Sequence, residues 1–535
     1  MAQLLYNRGI TTPVELQLFI SADKRLCGDP WLMPDMHQAV VRIYRALLSG
    51  ENIAVYGDYD ADGITGTALL VHGLSLVGGK AIPYIPHRQT EGHGIRSAVL
   101  KKLQQEGVSL VISVDCGITA LKEVKQASRN GLDVVITDHH TPLDEVLPPA
   151  IAVIDPKRTD ASYPFTELAG VGVGLKLLQA LFQSVGKETL ADGLLDMVAL
   201  GTVADMSPLT GENRYLVKQG LQLINTAPRL GIGEIITLAG LTPGSIDSES
   251  VSWVIAPWLN ATGRMTHAME SYQLLTTESR EEAHGLATSL EQTNQERQRL
   301  TEKMLVMARE KILEQEISPL LIADDREFAA GISGLVAGRL REEFYRPAVI
   351  VKIGEQTSNG SCRSIPEFNI IQALTQCRDL FTHFGGHSQA AGFTMPTCNL
   401  PALYEHLSRQ AATQLDGVDL RPRLDIEAEV TLPELSGNTL ATIQKLAPFG
   451  RGNPVPTFIS RSVEVIDCRT MGNNGNHLRL KLKQGGTVWS GVAFRLGDCL
   501  TEVSPLLDIV YNLEIDRWRG EERLRLNIRD FAPSS

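Results

Sequence analysis

Between residues 50 and 215, short and continuously apolar runs alternate with longer stretches whose apolar residues recur at helical spacing, the pattern of successive βαβ units. The apolar parts of NIAVYGDYDADG, SLVISVDCG, LDVVITDHH and MVALGTVADM lack a polar face, so they predict parallel strands covered on both sides. ITGTALLVHGLSLVG and RSAVLKKLQQEG predict helices, AIPYIPHR and AIAVIDPK further strands, and AGVGVGLKLLQALFQSVG a helix that opens on small residues. A doubly wound parallel α/β sheet over 46–270 follows, preceded by an N-terminal segment, 1–45. Residues 271–316 are charged and poor in glycine, with leucines at helical spacing, and predict a long helix joining two lobes. LLIAD, GLVAGRLREEF, PAVIVKIG and the glycine-rich FTHFGGHSQAAGFTM then predict a second, smaller α/β lobe over 317–415. From 421 the period becomes two. HLRLKLK puts Leu478, Leu480 and Leu482 on one face and Arg479, Lys481 and Lys483 on the other, and RLRLNIR repeats the device with Arg523, Arg525 and Arg529. About five such strands over 421–535 predict a small β-barrel of the OB type.

Composition narrows the setting. A chain of 535 residues exceeds one hydrophobic core and predicts three or four domains. No apolar run approaches the ~18 residues needed to span a bilayer, and the N-terminus lacks a secretory core, so no membrane partner is expected. The seven cysteines are scattered and never form CxxC, which argues against disulfides or a zinc site and for a cytoplasmic location. The net charge of −12 disfavours a polyanionic partner unless a groove is locally basic. Residues 421–535 supply such a region, with 15 Lys/Arg against 14 Asp/Glu.

The chemistry concentrates in Asp60, Asp62, Asp115, His139, His140 and Asp205, each of which closely follows one of the apolar runs. Ligands of open α/β sheets bind beyond the carboxyl ends of the strands, so these side chains should share one crevice. Four carboxylates and two imidazoles cannot stay unpaired together, and two bound divalent cations are the economical remedy. That predicts a metal-dependent hydrolase acting on a phosphate ester. In YGDYDADGITG an N-capping Asp with solvated neighbours would explain one carboxylate, but not Asp58, Asp60 and Asp62 together. The adjacent histidines of TDHH point to different sides, so one can ligate a cation while the other donates a proton or contacts phosphate. Cys116 reads as a small buried filler.

DYDADG, VDCGI, TDHH and GTVAD, in this order and spacing, resemble the DHH phosphoesterase superfamily, and FGGHSQAAGF resembles the signature of its associated second domain. ELAGVGVGLKL, LNATGRM, CRSIPEFNI and PFGRGNPVPTF extend the resemblance, over nearly the whole chain, to bacterial single-stranded-DNA-specific exonucleases. The resemblance implies that Asp60, Asp62, Asp115, His139 and Asp205 ligate two manganese or magnesium ions, that His140 sits at the scissile phosphate and that Asp138 orients this group. Asp58 is either a ligand or a residue that orients one. Arg88, Arg264, Arg363, Ser364 and His387 match positions that contact the nucleic-acid strand, and Arg479, Lys481 and Lys483 would offer a phosphate-binding face, with Trp489 and Trp518 as stacking partners or core fillers. There are two departures: Phe328 and Ala329 stand where Trp and His are frequent, and LLYNRGI begins near residue 4, so that either a short leader usual in the family is missing or the start is misassigned.

The implied reaction is 5′→3′ hydrolysis of single-stranded DNA to 5′-mononucleotides in DNA repair and recombination, by a monomer working with a single-strand-binding protein and a helicase. A strand threaded between two lobes would exclude duplex by width. Two rivals are a DHH phosphodiesterase of short oligonucleotides or cyclic dinucleotides, and a non-catalytic replication scaffold. The extra basic barrel argues against the first and the complete ligand set against the second.

Overall fold

The structure is a computed structural model that describes residues 1–88, 90–142, 146–314, 316–472, 475–518 and 521–534, without the side chains of 516–518 and 521–523. Its first lobe is built on five parallel strands, β1 (Asn52–Tyr56), β2 (Lys80–Tyr84), β3 (Val108–Val114), β4 (Asp133–Thr137) and β5 (Ala152–Ile154), in the order β2-β1-β3-β4-β5. Strand order reverses between β1 and β3, which opens a crevice at their carboxyl ends. The apolar residues of β3 and β4 are buried because helices cover both faces.

MVALGTVADM is not a strand. It forms the helix Leu195–Ala204, buried from Leu195 to Val203 between the helices Ala61–Leu76 and Gly170–Ser184. A helix packed on all sides needs no polar face, so its apolar run has the appearance of a buried strand. Asp205 therefore reaches the crevice from a helix end.

The helix expected over 271–316 is broken. Met269–Thr276 ends, and Ser279 caps Arg280–Leu313, accepting a hydrogen bond from the Glu282 N–H at 3.3 Å. These 34 residues run about 50 Å. Ala287 and Leu290 belong to the core of the first lobe, and Met304, Ala308 and Ile312 to that of the second. The second lobe is a mixed sheet of order β6-β7-β8-β10-β9, from β6 (Leu321–Asp325), β7 (Ala348–Lys352), β8 (Thr357–Arg363), β9 (His383–His387) and β10 (Ala390–Pro396). Its glycine-rich stretch is the β9–β10 hairpin. Phe328 is a core residue there.

The C-terminal strands β11 (Ala428–Glu429), β12 (Phe458–Met471), β13 (His477–Gln484), β14 (Thr487–Ala493), β15 (Leu506–Trp518) and β16 (Glu521–Pro533) close into a barrel through β12–β15 pairing. Leu478, Leu480 and Leu482 point into its core, while Arg479 and Lys481 are exposed. Trp489 is a core filler whose indole N–H donates to the Leu432 carbonyl at 3.2 Å. The side chains of Trp518 and Arg523 lie outside the described residues. Among the described residues no helix is long and apolar enough to cross a membrane.

The N-terminal segment packs against the barrel. Leu4 and Leu5 share the barrel core, and Arg8 pairs with Glu427. Arg214, fully buried in the first lobe, lies 3.8 Å from the Phe19 ring centroid and donates to the carbonyls of Phe19 at 2.7 Å, Leu446 at 2.8 Å and Ala447 at 2.7 Å. One guanidinium thus joins the N-terminal helix Pro13–Ser21, the first lobe and the approach to the barrel. Arg214→Ala leaves the Phe19 and Ala447 carbonyls without this donor, at about 1–3 kcal/mol each, while Leu446 keeps the Asn453 amide, so it should lower Tm and open the 415–430 linker to limited proteolysis. A wild-type Tm and digestion pattern would show that water replaces the guanidinium without loss.

Candidate active site

The crevice is assembled from tight backbone turns. After β1, Asp60 caps the helix Ala61–Leu76 and accepts hydrogen bonds from the N–H groups of Asp62 at 3.1 Å and Gly63 at 3.2 Å. Asp62 is anchored across the crevice by the N–H groups of Gly170 at 2.6 Å and Val171 at 2.8 Å, at the positive end of the helix Gly170–Ser184. Residue 170 must be glycine, because a Cβ there would lie 2.6 Å from that of Asp115. This is the reason for the first glycine in AGVGVG. Asp115 has φ 61°, a left-handed conformation that a non-glycine residue adopts at a cost and that aims its carboxylate into the crevice.

Histidine 139 stands at the centre. His139 Nε2 lies 3.1 Å from Asp115 Oδ1 and 3.9 Å from Asp62 Oδ2, and its Nδ1 lies 4.0 Å from Asp205 Oδ2. Asp205 accepts from the Ser207 hydroxyl at 2.6 Å. Asp138 turns the other way and accepts from Ile118 N–H at 2.9 Å, His139 N–H at 2.8 Å and His140 Nδ1 at 2.8 Å. The His140 ring faces that of His387 from the second lobe, with centroids 6.1 Å apart and planes 2° from parallel. His93, which the sequence did not single out, places Nδ1 3.0 Å from Asp58 Oδ2 and its ring centroid 5.7 Å from that of His140.

Burial pushes the Asp60, Asp62 and Asp115 carboxyls above their ordinary range, and their mutual repulsion, with Asp58 and Asp205, adds to it. Burial also lowers His139 to about 4, which leaves it a neutral ligand. For His140 burial opposes the charge, but the Asp138 carboxylate outweighs it and raises the ring to about 9. Burial likewise opposes ionisation of Asp138, yet the His140 cation and the hydrogen bonds hold it below the usual carboxylate range. The two histidines are thus driven to opposite protonation states by their neighbours.

Three candidate ligand groups emerge, Asp58 with Asp60 and Asp115, Asp62 with His139 and Asp205, and Asp115 with His139 and His140; within each, one donor atom per residue lies within 4.8 Å of the others. Asp58 Oδ1 is buried without a hydrogen-bond partner among the described residues, as expected of an atom awaiting a cation. Carboxylate oxygens with a neutral imidazole suit manganese or magnesium. Cys116 is a buried filler beside this shell, its thiol pushed up by burial.

The chain matches the DHH family N-terminal domain over residues 52–202, the DHHA1 domain over 317–413 and the RecJ OB domain over 426–530. It is 36% identical to the single-stranded-DNA-specific exonuclease RecJ of Bacillus subtilis, over 100% of this chain and 68% of that protein. The chain belongs to the RecJ family of single-stranded-DNA-specific exonucleases. Crystal structures of Thermus thermophilus RecJ in complex with Mn2+ and with Mg2+ superpose with TM-scores of 0.85 and 0.80 at 30% and 29% identity, each over 100% of this chain and 76% and 74% of those chains.

Around this RecJ centre stand the arginines that the sequence selected. Arg264 is pushed down to about 9 by burial and by Arg88 and Arg297, and its guanidinium has no hydrogen-bond acceptor among the described residues. Arg88 lies over the Tyr59 ring at 4.8 Å, and Arg363 donates to the Cys362 carbonyl at 2.8 Å. Ser364 does not face the crevice: it is fully buried and its hydroxyl donates to the Phe368 carbonyl at 2.6 Å, bracing a turn. On the barrel, Arg479 and Lys481 remain exposed, whereas Lys483 pairs with Glu464 at 3.1 Å. Asn260 was also missed; its Oδ1 accepts the Ala61 N–H at 2.9 Å and steadies the Asp60 turn.

The raised carboxyls bind protons more tightly in the folded than in the unfolded chain. In the metal-free protein their contribution to stability therefore falls as pH rises from about 4 through the raised values. Manganese at a hundredfold excess over its Kd should raise neutral-pH stability by about 2.7 kcal/mol, and this gain should shrink on acidification. Thermal unfolding with manganese or chelator across pH measures both; a neutral-pH Tm indifferent to manganese would contradict cation binding here.

Proposed function

We propose that this chain hydrolyses single-stranded DNA from its 5′ end and releases 5′-mononucleotides in repair and recombination. The observation that carries the reading is the cluster of ligand groups meeting around Asp115 and His139, within electrostatic reach of the Arg264 guanidinium. Asp58, Asp60 and Asp115 would hold one divalent cation, and Asp62, His139 and Asp205 the other. When bound, manganese or magnesium supplies Lewis acidity to the phosphate and acidifies a water.

The rest falls to the chain. Asp62, held by two N–H groups, and Asp115, held by its strained backbone, keep the donors in place without rearrangement. His140, kept charged by Asp138, faces the crevice and is placed to donate a hydrogen bond to the scissile phosphate or a proton to the leaving 3′ oxygen. His387 approaches from the second lobe, so the site is complete only with both lobes in place. Arg264, Arg363 and Arg88 offset phosphate charge along the strand. Because a crevice between lobes takes one strand, a helicase and a single-strand-binding protein would supply it to a cytoplasmic monomer.

Digestion of strands labelled at either end, with manganese, tests activity and polarity together: the 5′ label should appear first, as a mononucleotide. Asp115→Ala should abolish release in a folded protein, and Asp138→Asn should lower it by about 10- to 100-fold. Early release of the 3′ label would reverse the polarity, and near-normal turnover in Asp115→Ala would remove that residue from the site.

Arg264→Ala should weaken binding and reduce the salt slope, log K against log salt, by about 0.7, one phosphate contact on a single strand. Reversing Arg479 and Lys481 to Glu should weaken long strands and spare very short ones. Equal loss for both lengths would mean a misfolded barrel.

A further inference from the structure

Beside the crevice lies a cavity of about 370 Å³, between the end of the helix Leu195–Ala204, the turn Val251–Ile255, the helix Arg280–Leu313 and the Phe449–Arg451 segment that leads toward the barrel. Its lining includes Arg264, Arg297 and Arg451 and no carboxylate, in a chain of net charge −12. Its apolar wall includes Trp253 and Met206, which are 76% and 67% exposed. Leaving an indole and a thioether in water forgoes the burial that drives folding, and such exposure at a groove is the mark of a contact surface.

Local backbone keeps them there. Val251–Ile255 is a single π-helical turn; Val251 and Ile255 stay in the core while Trp253 is turned outward. Such turns insert a residue at a cost in helix geometry and concentrate at functional sites. Met206 follows Asp205 directly and takes φ 59°, again an unfavoured conformation for a side chain of its kind.

We propose that this groove seats the part of the strand beyond the nucleotide being removed, with a base stacked on Trp253 beside Met206 and phosphates near Arg451 and Arg297. The assignment rests on the single-strand exonuclease reading above. Charge selects the occupant: three guanidiniums without an acidic residue, of which Arg264 and Arg451 have no side-chain hydrogen-bond acceptor among the described residues, suit a polyanion. Continuity supports the same occupant, because Asn260 lines the cavity and also accepts the Ala61 N–H beside Asp60. An aromatic face with flanking cations binds bases of any identity, which an exonuclease needs.

The test compares wild type, Trp253→Ala and Trp253→Phe on oligothymidylate, on the same strand carrying abasic sites, and on a dinucleotide, with manganese. Trp253→Ala should raise KM for oligothymidylate by roughly 5- to 150-fold, the span of base–aromatic stacking, with Trp253→Phe in between. The dinucleotide, too short to reach the groove, should be cleaved at the wild-type rate, and the abasic strand should not distinguish the variants. An unchanged KM for oligothymidylate would overturn the proposal and leave the groove to an acidic partner peptide. An equal loss on dinucleotide and long strand would overturn it by making Trp253 a packing residue. Failure of the wild-type protein to cut any single strand would overturn the activity itself and this assignment with it.

Discussion

The structure is organised around an electrostatic liability. Asp60, Asp62 and Asp115 are held close together in a desolvated crevice, with Asp58 and Asp205 adding like charge. Carboxylates so placed must take up protons or cations. Everything nearby serves to hold them there: two helix N-termini give them N–H donors, Gly170 allows the approach to Asp115, and Asp115 itself accepts a left-handed backbone. Part of the stability of this lobe is therefore lent by whatever neutralises the cluster, which makes cation binding and folding one problem.

A second consequence concerns the lobes. The glycines at 263 and 331 allow backbones to meet: a Cβ at Gly263 would lie 2.2 Å from the Tyr59 carbonyl oxygen, and one at Gly331 2.3 Å from that of Arg264. The turn that bears the ligands, the helix that bears Arg264 and the start of the second lobe are thus stacked in direct contact. The helix Arg280–Leu313 contributes core residues to both lobes, and Arg214 fastens the approach to the barrel. With His387 facing His140 across the gap, interlobe packing sets the geometry of the candidate site.

Charge is distributed in the same sense. A net charge of −12 would repel a polyanion at a distance, yet guanidiniums line the cavity that adjoins the acidic centre. On the proposed reading, cations on the strand path would hold phosphates and carboxylates at its end would hold the metal ions.

Much of this is legible in the sequence because strand ends and apolar runs are local properties. DYDADG after NIAVY, Asp115 after SLVISV and the two histidines after DVVIT could be placed in one crevice from periodicity and the geometry of parallel sheets alone. The alternation of Leu478, Leu480 and Leu482 with Arg479 and Lys481 likewise set the inner and outer faces of a barrel strand. What required the tertiary structure is whatever depends on distant neighbours. An apolar run such as MVALGTVADM fits a buried strand or a buried helix equally well, and only packing between two other helices decides it. Asp58 joins a ligand group through its closeness to Asp60 and Asp115, His93 enters through its contact with Asp58, and Ser364 leaves because its hydroxyl is taken by Phe368. Trp489 and Trp253 are the same residue type, one filling a barrel core and the other exposed beside the arginines. Residue type and spacing are written in the chain, but exposure and pairing arise only when segments far apart in sequence are brought together.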